Sequence, residues 1–281
     1  MEFKNLAGTD IKELLSVFNL SFSDYIVPFH LTEEQLISKI NTEKINLDIS
    51  VGVFDSGHLA GFILQAEKAE DGEKIIYNAG TGVIPEVRGK GLVRKMYDFI
   101  LPVLQERNAD RLLLEVIEGN EPAIRAYENL GFNVVRKLLC FRGNIILAKE
   151  NPDIIVREME GFQWENFLSF WDIDPSWQAS VFVLDDILKE CIILGAYRDT
   201  KLVGYAIYNR SSKKIYQLAV DKSHRKQGAG TMLFKAIAQI AGGSEVSVNN
   251  VDDMSKETFS FLSSTIGLKN WISQLEMKKN L

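Results

Sequence analysis

The segment from Val83 to Leu92, VIPEVRGKGL, joins an apolar run to an amphipathic one through a turn of glycines and basic residues. That combination suits an anion. Glycine lets a backbone come close to a ligand, the first turn of a helix carries N–H groups without internal partners, and the helix dipole adds partial positive charge there. A phosphate or pyrophosphate would sit well on it. The design returns as VDKSHRKQGAG from Val220 to Gly230, where Arg225 and Gly228 each stand 137 positions after Arg88 and Gly91. One chain carries the pattern twice.

The elements that must position these turns also read twice. In the first half, Ile11, Leu14, Leu15 and Phe18 have helical spacing after Asp10, and Thr32 with Gln35 marks a second helix start of capping-box type. Strands follow at Ser50 to Phe54, Leu59 to Ala66 and Lys74 to Val83, separated by the turn signals DSG at Asp55 and DG at Asp71. This is an antiparallel meander. After Gly91 the apolar Leu92, Met96, Ile100 and Leu104 share one helix face, and Pro102 predicts a kink. A strand from Arg111 to Ile117, a helix capped by Asn120 and stopped by Gly131, and a strand from Phe132 to Leu147 close the half. The second half repeats this order, with a helical region rich in Trp and Asp from Phe162 to Leu188. The boundary is expected at Asn151–Pro152, giving domains 1–150 and 151–281.

Composition limits the function. A chain of 281 residues with 46% hydrophobic and 25% charged residues reads as soluble, globular and ordered, large enough for two cores. The net charge of −6 argues against broad nucleic-acid binding. No run reaches the length of a membrane span and the amino terminus lacks a signal-peptide core, so no membrane partner and a cytoplasmic location are expected. Cys140 and Cys191 have no ligand-like spacing with His30, His58 or His224; buried free thiols and no metal are the reading.

The sequence resembles the GNAT superfamily of N-acetyltransferases, whose members share a strand, an Arg/Gln-x-x-Gly-x-Gly/Ala turn and a helix. The stretch from Arg225 through Lys226, Gln227, Gly228 and Ala229 to Gly230 matches at every specified position; the one from Arg88 through Gly89, Lys90, Gly91 and Leu92 departs only at Val93. A second match lies in the first half, where Asn120, Ala123, Ile124, Tyr127, Gly131 and Phe132 resemble the family segment N-x-x-A-I-x-x-Y-x-x-x-G-F. The likeness covers nearly the whole chain as a tandem pair. It implies an α+β fold with two three-layer domains, each a mixed, mostly antiparallel sheet flanked by helices.

The resemblance also implies an activity: transfer of an acyl group from acetyl-coenzyme A to a primary amine of a small molecule or protein. Backbone N–H groups of Arg88 to Val93, and of Arg225 to Gly230, would cradle pyrophosphate. The strand ending at Thr81 to Val83 would pair with the pantetheine arm, Val220 would contact the cofactor in the second half, Asn120 would cap its helix beside the cofactor arm, and Tyr127 would protonate the departing thiolate. In the second half Ser263 falls opposite Tyr127, so the first domain is expected to be catalytic and the second degenerate or acceptor-shaping. A non-catalytic acyl-CoA sensor, or catalysis in the second half, are the alternatives.

Asp24, Tyr25 and His30, with Trp171, Asp172, Trp177 and Gln178, lie in segments that wall the acceptor pocket in this family. Glu115 could draw the amine's proton through water, Tyr77, Asn78 and Thr81 are equally plausible neighbours of the cleft, and no base is assigned. Arg94 and Lys95 read as a solvated helix face. A monomer or homodimer is expected.

Overall fold

The computed structural model describes residues 1–146, 150–161 and 163–281, which form two compact units. The first comprises Met1–Val135 with Leu275–Leu281, the second Arg136–Gln274. In the first, the order is β1 (Glu2–Asn5), α1 (Ile11–Phe22), α2 (Glu33–Thr42), β2 (Val51–Asp55), β3 (His58–Glu70), β4 (Glu73–Val83), α3 (Leu92–Glu106), β5 (Arg111–Ile117) and α4 (Glu121–Glu128). Asp10 caps α1 by accepting from Lys12, and Thr32 with Gln35 forms the anticipated capping box on α2. Both hairpin turns use left-handed pairs, Ser56 with Gly57 and Asp71 with Gly72. Strands β1 to β4 are successive antiparallel neighbours, and β4 pairs with β5 in parallel.

Two cores sandwich this sheet. Leu92, Met96, Ile100 and Leu104 of α3, with Ile124 and Tyr127 of α4, pack beneath Val51, Ile63, Ile76 and Leu114. Leu14, Val17 and Phe18 of α1 with Leu36 of α2 cover Phe54, Leu59, Phe62 and Leu64 on the other face. The alternation of period two in the strands produces both faces at once. Pro102 lies within α3, which continues to Glu106.

The second unit holds most of β6 (Asn133–Gly143), then β7 (Ile154–Glu158), α5 (Trp164–Leu168), α6 (Val181–Ile187), β8 (Ile192–Arg198), β9 (Lys201–Asn209), β10 (Lys214–Val220), α7 (Ala229–Ala241), β11 (Val246–Asp252), α8 (Lys256–Ser260) and the first part of β12 (Lys269–Asn280). It repeats the layers: α7 packs with Leu194, Val203 and Ile215 on one face, while Phe167, Leu184 and Ile187 meet Ile193, Tyr205 and Ile207 on the other.

Three expectations change. The units do not divide at Asn151: residues 138–143 of β6 pair antiparallel with β11, and the chain's last residues return to the first unit, where Met277 is fully buried and the Leu281 N–H donates to the Asp110 carbonyl. Strand patterning gives a face and a period, not the sheet a strand joins. The helical region of the second half is instead two short helices with a 3₁₀ turn at Trp177–Ala179, because Pro175 pushes the residue before it away from helical backbone. Cys140 is buried, whereas Cys191 is only partly so. Leu147 and Phe162, the expected ends of a strand and of that helical region, lie outside the described residues.

Candidate active site

The site is built around an irregularity in β4. Leu64 of β3 opposes Gly80 and Gln65 opposes Asn78, so Ala79 is an extra residue, a β-bulge. The parallel ladder between β4 and β5 runs from Ile75 with Arg111 to Asn78 with Leu114. A bulge bends its strand and interrupts the ladder. The strands therefore part just beyond Asn78, where the last residues of β4 lead to the Val83–Leu92 turn.

Four polar side chains converge at this parting. Asn78 Nδ2 donates to Thr81 Oγ1 at 2.8 Å and to the Tyr97 hydroxyl at 2.9 Å. Tyr127, from α4, packs edge-on to Tyr97 with ring centroids 6.5 Å apart, and its hydroxyl meets the side chains of Thr81 and Asn78. Burial pushes the Tyr127 phenol up to about 12, against hydrogen bonds from Thr81 and Asn78, with the nearby Tyr25 adding to the rise. Burial likewise holds Tyr97 well above the ordinary range. A phenol in this setting keeps its proton at neutral pH, the state required of an acid.

The sign of the pH effect follows. The folded phenol has the higher pKa, so its protonated state is complete below the solution value near 10 and is lost as pH rises through about 12. Titration of tyrosinate absorbance is expected to lose a step near pH 12 in Tyr127→Phe. Loss of a step near 10 instead would contradict a buried acid.

The turn itself is open. Gly89 and Gly91 have φ of 75° and 67°, a region that favours glycine, and a methyl group placed on either would meet no described atom within 4 Å. Lys95 N–H donates to Gly91 O at the start of α3, so the amides before it precede the helical ladder. Lys90 is exposed beside them, and Arg94 makes only a 3.9 Å surface pair with Asp98. The Arg88 side chain is engaged by protein groups. Its Nε donates to Val83 O, Nη2 to Ser21 O, and both terminal nitrogens to the Asp24 carboxylate, at 2.6 and 2.9 Å. Asn120 caps α4 by accepting from Ala123 N–H, and its Nδ2 donates to the Tyr25 hydroxyl at 3.2 Å.

Glu115 hydrogen-bonds Tyr77 and alternates away from the core that holds Leu114, Val116 and Tyr127. The two therefore separate from Asn78 and Thr81, which the sequence had left equivalent to them. His30 is exposed. Tyr97 is the member that spacing alone did not single out; its one signal was a phenol on the buried face of α3, where the repeat has Phe234.

The second unit keeps the backbone and differs in these side chains. Its bulge falls at Tyr216, between the pairs Ile215 with Tyr208 and Gln217 with Ile207, 137 positions after Ala79. At that same offset Asn78, Thr81 and Tyr97 become Ile215, Leu218 and Phe234. Ser263 donates to Phe259 O on an exposed helix surface. The turn is covered as well: a methyl on Gly228 would stand 2.9 Å from Asn151 Cβ, and one on Gly230 2.8 Å from the Phe261 ring. Asn151 also donates to Gln227 O, and the Gln227 side chain accepts from Arg198. Lys226, left-handed at φ 60°, pairs with Glu257. Arg225 binds Val220 O, Phe170 O and Asp172, as Arg88 binds its partners. Trp171 donates to the Tyr205 hydroxyl, Trp177 is buried, and Gln178 is partly covered.

These features define a tandem acetyltransferase fold whose first unit has an open glycine turn after β4 and a buried phenol near Asn78 and Thr81 of that strand. The acetyltransferase (GNAT) family model matches residues 14–132 and 156–252, and the chain belongs to that family. It is similar to mycothiol acetyltransferase of Corynebacterium aurimucosum, 31% identical over 31% of this chain and 28% of that enzyme, and to streptothricin acetyltransferase of Streptomyces lavendulae, 38% identical over 29% of this chain and 42% of that one. The chain thus spans under half the length of these two relatives in the match. Its fold is that of a GCN5-related N-acetyltransferase from Sphaerobacter thermophilus, with a TM-score of 0.78 at 15% identity over 99% of this chain and 95% of that one. A tandem GNAT protein from the clavulanic acid biosynthesis pathway aligns with a TM-score of 0.74 at 12% identity, over 99% and 98%.

Proposed function

We propose that the chain is an acetyl-coenzyme A-dependent N-acetyltransferase acting on a primary amine, with turnover in the first unit. One observation carries the division of labour: Asn78, Thr81, Tyr97 and Tyr127 meet beside an open turn in the first unit, while the second has apolar residues at three of those positions and a covered turn. The turn fits a pyrophosphate, since free space lies over Gly89 and Gly91 and the leading amides of a 15-residue helix point from it. An acyl thioester supplies a group already activated for transfer. The protein's part is to bind, orient and manage protons.

The residues divide these tasks. Amides of Arg88 to Val93 hold phosphate, and the edge of β4 from Thr81 to Val83, parted from β5 by the bulge, lies open to hydrogen-bond an extended arm. Asn120 ends the arm's path at the α4 cap. As the amine nitrogen bonds the acyl carbon and the carbon–sulfur bond breaks, Tyr127, protonated beside Asn78 and Thr81, delivers a proton to the leaving sulfur. The proton that the nitrogen sheds passes to solvent, from which the phenol is restored. The incoming amine must arrive neutral.

Calorimetry with acetyl-coenzyme A is expected to give one site per chain, and a panel of primary amines is expected to elicit release of free thiol. Two equal sites would reject the division between units. No binding would reject the donor assignment itself.

A further inference from the structure

We infer that Asp24 and Tyr25 are positioning residues that couple occupancy of the donor site to the order of the loop from Ser23 to His30. This rests on the donor assignment above. The two residues are adjacent in sequence, yet each grips a different part of the donor site. Asp24 takes both terminal nitrogens of Arg88, the first residue of the phosphate turn, while the Tyr25 hydroxyl accepts from Asn120, the cap of the helix that carries Tyr127. Arg88 also holds Ser21 O and Val83 O, so one guanidinium ties the end of α1, the end of β4 and the loop together.

Beside these tethers the loop is held by an aromatic cluster, in which Phe29 packs on Phe18 and Phe22 and Tyr25 meets Phe22 edge-on. Its internal backbone bonds, Tyr25 N–H to Phe22 O at 3.3 Å and Phe29 N–H to Phe22 O at 3.5 Å, are long, and Ile26 and Phe29 are exposed. Segments with few buried contacts and weak backbone bonds open most readily. A ligand that immobilises the backbone of Arg88 and Asn120 reduces the entropy each must lose to hold its loop partner. By linkage, a loop held at both ends favours that ligand by the same factor.

The arrangement is repeated independently. In the second unit Arg225 binds Asp172, and Asn250 Nδ2 donates to Ser176 Oγ at 3.2 Å, so the corresponding loop is again fastened at two points, to the turn and to β11, although Asn250 is a strand residue and not a helix cap. The spacing differs: the two loop residues are adjacent in the first unit and four apart in the second. Two different sequences arrive at one pair of tethers. Asp24 and Arg88 are exposed enough that their bond alone contributes little to stability. Positioning is the role this geometry leaves for it.

Hydrogen exchange of the full chain, with and without coenzyme A, tests this. Amides of residues 89–93 should gain protection from contact, and those of residues 24–30 should slow by about tenfold through the tethers, within the usual range of coupling between sites. In Asp24→Asn with Tyr25→Phe, protection at 89–93 should persist while that at 24–30 falls to about twofold or less. Asp24→Glu alone, which keeps a carboxylate for Arg88, should retain loop protection. Wild-type loop amides that ignore coenzyme A while the turn is protected would overturn the coupling, as would full loop protection in the double variant. An unprotected turn, with no calorimetric binding, would instead remove the donor assignment and the coupling with it.

Discussion

Tyr127→Phe lowers kcat by about 100-fold and leaves acetyl-coenzyme A affinity within about twofold, the expected result of deleting a general acid whose ring stays in place. The ring makes the packing contacts: it meets Tyr97 at 6.5 Å and Phe132 at 5.7 Å, edge-on in both cases, and lies in the core beneath β4 and β5. Phenylalanine preserves these. What disappears is the hydroxyl near Thr81 and Asn78, at a cost in stability of about 1 kcal/mol or less. Urea unfolding measures that cost separately from the rate. Tyr97→Phe is the informative comparison, because Tyr97 is also buried and packs against Tyr127, while its hydroxyl accepts from Asn78. Its effect on kcat should be the smaller. Equal losses would move the acid role away from Tyr127, and unchanged turnover in Tyr127→Phe would end it.

The sequence already exposed the turns, the linked Asn120 and Tyr127 pattern and the duplication, because each depends on local residue type and spacing. Left-handed backbone at positions 89 and 91 is a property glycine declares in advance. The bulge at Ala79 was not legible, since an unpaired residue is defined by the partner strand and not by its own side chain. With it went the meeting of Asn78, Thr81 and Tyr97, whose numbers suggest no association until β4 bends and α3 crosses it. Asp24 and Asp172 were read toward an acceptor; each holds an arginine of a glycine turn, a partner that the sequence did not suggest. A long-range ion pair leaves no mark in spacing.

The closer signature match lies in the unit with less chemistry, and packing accounts for this. Gly230 satisfies the final small-residue position, but the Phe261 ring occupies the space a side chain there would need. Val93 fills the equivalent position in the first unit and packs against its core. A small residue at that site therefore records what sits against the helix, and does not by itself report phosphate binding.

Placing valine at each turn in separate variants separates ligand contact from backbone strain. Gly91 and Gly228 both have positive φ, at 67° and 90°, so a β-branched residue is strained at either, by about 1–3 kcal/mol. Only Gly91 faces open space; Gly228 already stands against Asn151 Cβ. Gly91→Val is expected to weaken acetyl-coenzyme A binding by about 100-fold or more, because the branched side chain enters the space an anion needs and displaces the amides that hold it. Gly228→Val is expected to destabilise the second unit at least as much in urea, through its added clash, yet to leave affinity within about twofold. Gly91→Asn, which tolerates left-handed backbone, should recover much of the stability without recovering full affinity. Calorimetry and unfolding on the same three proteins decide the matter. Losses of affinity that track stability in all three would make both turns structural and remove the phosphate assignment, whereas loss confined to residue 91 ties acyl-donor binding to the uncovered one of these two turns.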